Sequence, residues 1–211
     1  MAPKTADPAV RRALIEAAAR VIAEDGSAGL SLRGLAAEVG TSTMAIYTHF
    51  GSMGEIRRAV QYEGYARLLA RLDAVEATDD ELADLILLGW AYYNHAVEEP
   101  NLFRAVHMER RLQGDDTWLA DQTQGRLVTG VDRCLRAGRI PGDDADGIAA
   151  QLWAFVHGVV ALQLIGAVPD VAAFLTFAGG GANLFRGMGV PPDELERAIT
   201  AARDRADPAP P

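Results

Sequence analysis

The chain has 211 residues, 49% of them apolar, with 20 Lys and Arg against 29 Asp and Glu and one Cys. That length suits one ordinary domain or a small module joined to a larger one, and a single Cys excludes an intrachain disulfide scaffold and fits a reducing cytoplasm. The formal charge of -9 argues against a polyanionic partner for the chain as a whole, because nucleic-acid footprints are usually basic.

The first eight residues contain no apolar run of the kind a signal peptide needs. Asp7 and Pro8 read as the cap and first position of a helix whose Val10, Leu14, Ala17, Ala18 and Val21 recur at helical spacing, with Gly26 as its stop. Ser31 can cap a short helix from Leu32 to Val39, ended by a left-handed Gly40. Thr41 or Ser42 can cap a second, Thr43 to Phe50. Two short helices joined through a glycine make a helix-turn-helix pattern. Longer helices are expected from Ser52 to Val75 and from Asp80 to Glu98, then shorter ones over 101–112 and 116–137. Cys134 reads as a small core residue. Pro141 to Asp144 is a turn before an apolar helix of 144–167, and Pro169-Asp170 opens a helix through Met188. A last polar helix starts at Pro191-Pro192-Asp193, and 207–211 reads as a fraying tail. No segment alternates with period two, so the expected fold is all-α.

The apolar stretch Leu152 to Val168 is short for a membrane span and polar at its middle, with His157 and Gln163, so it reads as a buried helix and no membrane partner is expected. Stepping 100° per residue sorts its apolar positions into two stripes. Leu152, Phe155, Val159 and Leu162 recur at heptad spacing, and the following helix has Phe174, Phe177, Gly181 and Phe185 in its own stripe. These eight are the expected contact with a second copy of the chain. Gly179 to Gly181 either serve close backbone approach there or mark a loop or kink. Trp153 and His157 lie nearly opposite and face the body of the subunit, where Trp90, Tyr93, Asn94, Phe103, His107 and Trp118 are candidates to line a small-molecule cavity with them. Core packing is the competing reading of each aromatic.

The segment LSLRGLAAEVGTSTMAIYTHFGSMGE, Leu30 to Glu55, resembles the DNA-binding region of the TetR family of bacterial transcriptional repressors. The likeness rests on a Ser opening the first short helix, an Arg two places on, Leu-Ala-Ala-Glu-Val-Gly, and Tyr-x-His-Phe closing the second. A looser resemblance over 85–168 is to the C-terminal subgroup with a Trp-x-x-x-His-Gly element, here Trp153, His157 and Gly158. The resemblance implies a three-helix reading head (residues 1–51), a larger helical domain that binds ligand and dimerises (52–206), and release from a double-stranded operator when a small-molecule effector binds. It also implies phosphate contacts from Tyr47 and His49, with Ser31 and Arg33 holding the backbone from the other short helix. Packing of a small core is the other use of Tyr47 and His49.

A recognition helix meets base edges through its N-terminal residues, while hydroxyls hold phosphates. Thr43, Met44 and Thr48 are thus the base-edge candidates and Thr41 and Ser42 the hydroxyls of the turn. Two features depart from the family pattern: Met53 stands where many members have a Lys, and the recognition helix holds no Arg or Lys. The charge divides along the same line, since residues 1–60 carry seven basic and six acidic residues and residues 61–211 carry 13 and 23. The net values are +1 and -10, so the acidity belongs to the body. No His-Glu-x-x-His, Cys-x-x-Cys, phosphate-type Gly loop or nucleophile elbow is present, so neither a cofactor, a metal nor catalysis is expected. His95 with Glu98 and Glu99 reads as a solvated helix end rather than a metal site. The remaining alternatives are an enzyme or a helical partner-binding protein with a degenerate head.

Overall fold

In the computed structural model, which describes residues 7–107 and 118–206, the Asp7 carboxylate accepts from the Ala9 amide at 2.9 Å and Pro8 takes the first position of α1 (Pro8–Asp25). A 3-10 turn at Ser27–Gly29 leads to α2 (Leu32–Val39), whose first turn is closed by Ser31 Oγ accepting from the Gly34 amide at 3.1 Å. Gly40 follows at φ 69°, the left-handed position expected of it. Of the two candidate caps, Ser42 begins α3 (Thr43–Phe50), accepting from the Ala45 amide at 3.1 Å. Next come α4 (Met53–Asp73), α5 (Glu81–Glu98), α6 (Pro100–His107), α7 (Trp118–Arg136), α8 (Ala145–Leu164), α9 (Asp170–Gly187) and α10 (Pro192–Arg205). Pro100 both ends α5 and opens α6, a first-turn position where its missing N–H costs nothing. Residues 108–112, the expected start at 116 and the 207–211 tail lie outside the described residues. The described residues are helix and turn without a strand.

Contacts divide the chain into two units. The first holds α1, α2, α3, α4 as far as Arg67, and α6. Its core gathers Leu14, Ala18, Leu35, Ile46, Phe50, Ile56 and Val60 with Leu102 and Ala105 of α6. The expected boundary after residue 51 therefore differs from the division of contacts. One long and two short helices have too little apolar face to close a core, and α4 and α6 complete it. The α4/α6 crossing is tight at Gly64, where an added Cβ would stand 2.5 Å from Val106 Cγ2. Arg67 bonds Glu63 at 2.8 Å and Glu99 at 2.9 Å, so α4 is also tied to the start of α6 by charge.

The second unit holds the end of α4, α5, α7 from Ala120, and α8 to α10. Here α5 packs on α8 and α10, and α8 packs on α9. Cys134 is fully buried, as expected, with its thiol donating to the Glu81 carbonyl at 3.2 Å, and burial pushes its pKa up to about 12. The most constrained ion is Asp84, only 3% exposed near the start of α5. Its carboxylate accepts from the Thr78 amide (2.7 Å), the Thr78 hydroxyl (2.9 Å), Arg133 of α7 (2.9 Å) and Arg205 of α10 (2.7 Å). Burial alone would raise the Asp84 carboxyl, but these donors outweigh it and hold it below the usual carboxylate range. A depressed folded pKa contributes stability that is present above the unfolded value of about 4 and is lost as pH falls through the folded one. Asp84→Asn should accordingly flatten the loss of stability below about pH 4, measured by urea unfolding across that range. At pH 7 the same substitution should cost about 3 kcal/mol, because it leaves two arginines short of their counter-charge.

The α8/α9 pair corrects one expectation about the apolar stretch. Helix α8 is long and apolar enough to cross a membrane by composition, yet only 28% of that window is buried within the chain. The covered face is Ala149, Val156, Val159, Val160 and Gln163. A two-helix hairpin covers one side of each helix and leaves the other open. The loop or kink at Gly179 to Gly181 does not occur: α9 runs through all three. Gly180 is small because the Phe155 ring of α8 lies against it, 2.6 Å from where a Cβ would stand.

Candidate nucleic-acid interface

The outward side of α3 follows from which of its residues the core takes. Ile46 and Phe50, four apart, are 1% and 8% exposed and anchor the helix in the head. The same periodicity turns Met44, Tyr47 and Thr48 out, with Met44 at 71% and Tyr47 at 49% exposure. Thr43 and His49 are half-buried at the edges of that face, and His49 leans on Phe50 with ring centroids 6.1 Å apart. Ser42 is exposed, Thr41 half-buried, and Ser31 and Arg33 are both exposed at the start of α2. The nine residues expected at DNA thus lie on the first turn of α2 and on the turn and outer side of α3, six of them exposed and Thr41, Thr43 and His49 half-buried.

Most of the head's cations are already committed. Arg20 of α1 pairs with Glu38 of α2, and Arg58 with Glu55 at 2.7 Å. Arg57 donates to the Ser27 carbonyl at 3.1 Å, pinning α4 to the 3-10 turn. Arg11 stacks its guanidinium 5.3 Å from the Phe50 ring centroid, capping the head core. No local pattern in the sequence marks either the Arg11 or the Arg57 contact, since the partners are 39 and 30 residues away. Among the described residues of the head, Arg12 and Arg33 are exposed.

The residues expected at the effector cavity fall into both units. Phe103 and His107 belong to the first, where Phe103 is buried and His107 lies against it and against Tyr65, with centroids 4.5 and 5.4 Å apart. Trp118, at the start of α7, is 61% exposed. In the second unit Trp90 and Tyr93 are buried and Asn94 is half-buried. Tyr93 stacks on Phe177 at 4.7 Å and donates to Gln163 Oε1 at 2.8 Å, while Gln163 donates to Asp170 at 3.1 Å. Half-buried His157 meets Tyr92 OH through Nδ1 at 2.8 Å, and burial lowers its pKa, favouring the neutral ring. Trp153 stacks on His157 at 5.0 Å but is 46% exposed, so its outer face opens away from the unit. Tyr92, Gln163 and Asp170 were not anticipated; the available signal was a Gln inside an apolar helix, which demands a buried partner.

The expected dimer stripe is likewise divided. Val159, Phe177 and Phe185 are buried in their own unit, and Leu152, Phe155, Phe174 and Gly181 are half-buried. Leu162 is open at 47%, and the exposed apolar residues beside it are Ile165, Val171 and Leu175. The α8/α9 contact takes the aromatic side of α9, which the heptad count alone had assigned to a partner. The helix end at His95, Glu98 and Glu99, expected to be solvated, is instead engaged: Glu98 pairs with Arg71 and Glu99 with Arg67, while His95 is buried.

Residues 14–60 match the family model described as bacterial regulatory proteins of the tetR family, and residues 85–180 match the tetracyclin repressor-like C-terminal domain. The chain belongs to the TetR family. An uncharacterized HTH-type transcriptional regulator of Mycobacterium tuberculosis is 29% identical over 181 residues, 84% of this chain and 81% of that protein. An HTH-type transcriptional repressor of Streptomyces coeruleorubidus is 31% identical over 117 residues, 56% of this chain and 36% of the relative. Among solved structures, a tetR-family regulatory protein from Rhodococcus RHA1 superposes with a TM-score of 0.76 at 20% identity, covering 88% of this chain and all of that one. This TetR-family chain is a transcriptional regulator with an all-α fold, and its two matched segments span the helix-turn-helix head and the larger helical domain.

Proposed function

We propose that this regulator is a repressor that binds a palindromic double-stranded operator as a homodimer and leaves it when a small apolar or amphipathic effector binds. The observation that carries the DNA-binding reading is the exposed face of α3, where Met44, Tyr47 and Thr48 stand out from a helix locked to the head by Ile46 and Phe50. A helix held by one face and open on the other can enter the major groove without deforming its scaffold. Homodimerisation is supported by the open apolar residues of α8 and α9, Leu162, Ile165, Val171 and Leu175, each at 47% or more exposure. A two-fold dimer then matches half-sites about 34 Å apart.

The effector reading is supported by the match of residues 85–180 to the tetracyclin repressor-like C-terminal domain and by an aromatic cluster with few polar groups, Trp90, Tyr93, Trp153 and the Tyr92–His157 pair. Effector binding shifts a two-state equilibrium through its different affinity for the two arrangements, and α4, whose residues are shared by both units, carries the change to the head. The protein works in the cytoplasm and performs no catalysis. Selection of bound sequences from a random duplex library tests the reading: a palindrome is expected, and recovery of no preferred sequence would overturn it.

Because most head cations are internally engaged, the affinity should depend weakly on salt. A slope of log affinity against log salt on the order of four released counterions per half-site is expected, read from fluorescence anisotropy between 50 and 300 mM salt, ~0.05–0.3 M. A slope more than twice as steep would show that phosphate contacts come from ions the structure pairs elsewhere.

A further inference from the structure

We infer that this head selects its operator through thymine methyl groups, with Met44 as the specificity-determining residue. The inference rests on α3 being the recognition helix and names the base chemistry that helix reads. Each base edge in the major groove asks for a particular partner. Guanine O6 and N7 accept two hydrogen bonds, which Arg or Lys supplies; adenine N7 and N6 suit the amide of Asn or Gln; cytosine N4 suits a carboxylate; thymine alone adds a methyl. The segment Thr43–Phe50 contains no Arg, Lys, Asn, Gln, Asp or Glu. The paired donor and acceptor groups that read guanine, adenine or cytosine are therefore missing from the whole helix.

The other candidates narrow the choice: Thr43 is half-buried at the edge of the face and offers a single hydroxyl, which suits any base and selects none. Thr48 donates its hydroxyl proton to the Met44 carbonyl at 3.0 Å, which removes its donor from base reading. Ser42 Oγ is engaged in capping the Ala45 amide. Tyr47 lies one helical step from that face and carries a single hydroxyl on a long ring, a reach suited to phosphate. What projects furthest is the Met44 thioether, 71% exposed on the first turn, where a recognition helix approaches base edges. An unbranched, polarisable side chain on a rigid helix adapts its methyl to an apolar target at little steric cost. Its exposure also separates it from the core face, since Ile46 and Phe50 already fill that role.

The test uses the full-length protein and the operator recovered by selection, with each thymine replaced in turn by deoxyuridine, which deletes only the 5-methyl group. At least one position per half-site should lose about fourfold in affinity, the value of one buried methyl-sized group. Met44→Ala, which removes the contact from both protomers, should bind the unmodified operator with the affinity that the wild type shows when that thymine is replaced in both half-sites, and should not respond to deoxyuridine at that position. Selective binding that no deoxyuridine affects would overturn this inference while leaving the recognition-helix reading standing. Methyl sensitivity that persists in Met44→Ala would overturn the assignment to Met44. Absence of any selected sequence would remove the recognition-helix reading itself. Met44 is solvent-exposed, so its replacement leaves the head folded, which the unchanged thermal transition of the variant verifies.

Discussion

Replacing Tyr47 and His49 together by Ala should lower operator affinity by roughly a thousandfold. On the proposed reading each side chain gives one hydrogen bond to a charged phosphate, a contact worth about 1–1.5 kcal/mol, and a dimer would make four of them, so about 4 kcal/mol is at stake. The fold should survive. Tyr47 is half exposed and His49 touches the head core only by leaning on Phe50. Tyr47→Phe isolates the hydroxyl and should cost about thirtyfold, two of the four contacts at about 1 kcal/mol each. Anisotropy titration with the selected operator checks both, with thermal unfolding as the control. An enzyme or a partner-binding protein with a degenerate head would lose nothing specific on this substitution, so retention of sequence-selective affinity would count against the contacts argued for α3.

Glu at Leu162 and Leu175 should convert the dimer to monomers. Both side chains are exposed in the single chain, at 47% and 64%, so the substitutions leave the protomer core untouched and act only where a second copy covers them. Each appears twice across a two-fold interface. The lost apolar burial and the carboxylates left to be desolvated together come to at least about 4 kcal/mol, roughly a thousandfold in the dimer dissociation constant. The unit that carries these residues is also acidic, which adds like-charge repulsion. Sedimentation at micromolar concentration should show one chain for the variant and two for the wild type. Operator affinity should fall with it, because a lone head engages one half-site. A variant that sediments as a dimer would place the interface on another face.

The head was legible because its signals are local. Ser31, Gly40, Ser42 and Gly51 act within three or four residues of themselves, so cap and stop can be read from the order of residues. The four-residue spacing of Ile46 and Phe50 is that of a single helix face, which Met44 and Tyr47 do not share. The body was less legible for an equally physical reason. Helix α8 is apolar around most of its circumference, and a periodicity argument identifies stripes without naming what covers each. Sorting at 100° per residue put Phe177 and Phe185 toward a partner, whereas α8 and Tyr93 of α5 claim that side of α9 within the same chain. Gly180 illustrates the point: sequence marks it as a place of close approach, and only the position of Phe155 says what approaches.

The charge of -9 that seemed to weigh against DNA is concentrated after residue 60, and the structure shows where much of it is spent. Asp84, Glu81, Glu98 and Glu194 pair with arginines that hold α5 to its neighbours or to the end of α4. Sequence by itself determined the helical class, the helix-turn-helix and the residues that face outward from α3, because those depend on period and on caps that act over one turn. The tertiary structure alone decided that α6 completes the head core, that Arg20, Arg57 and Arg58 are engaged within the head, and which side of α9 stays open. Each of those is a contact between residues far apart in the chain or a choice among rotamers, and neither local propensity nor periodicity carries information about it.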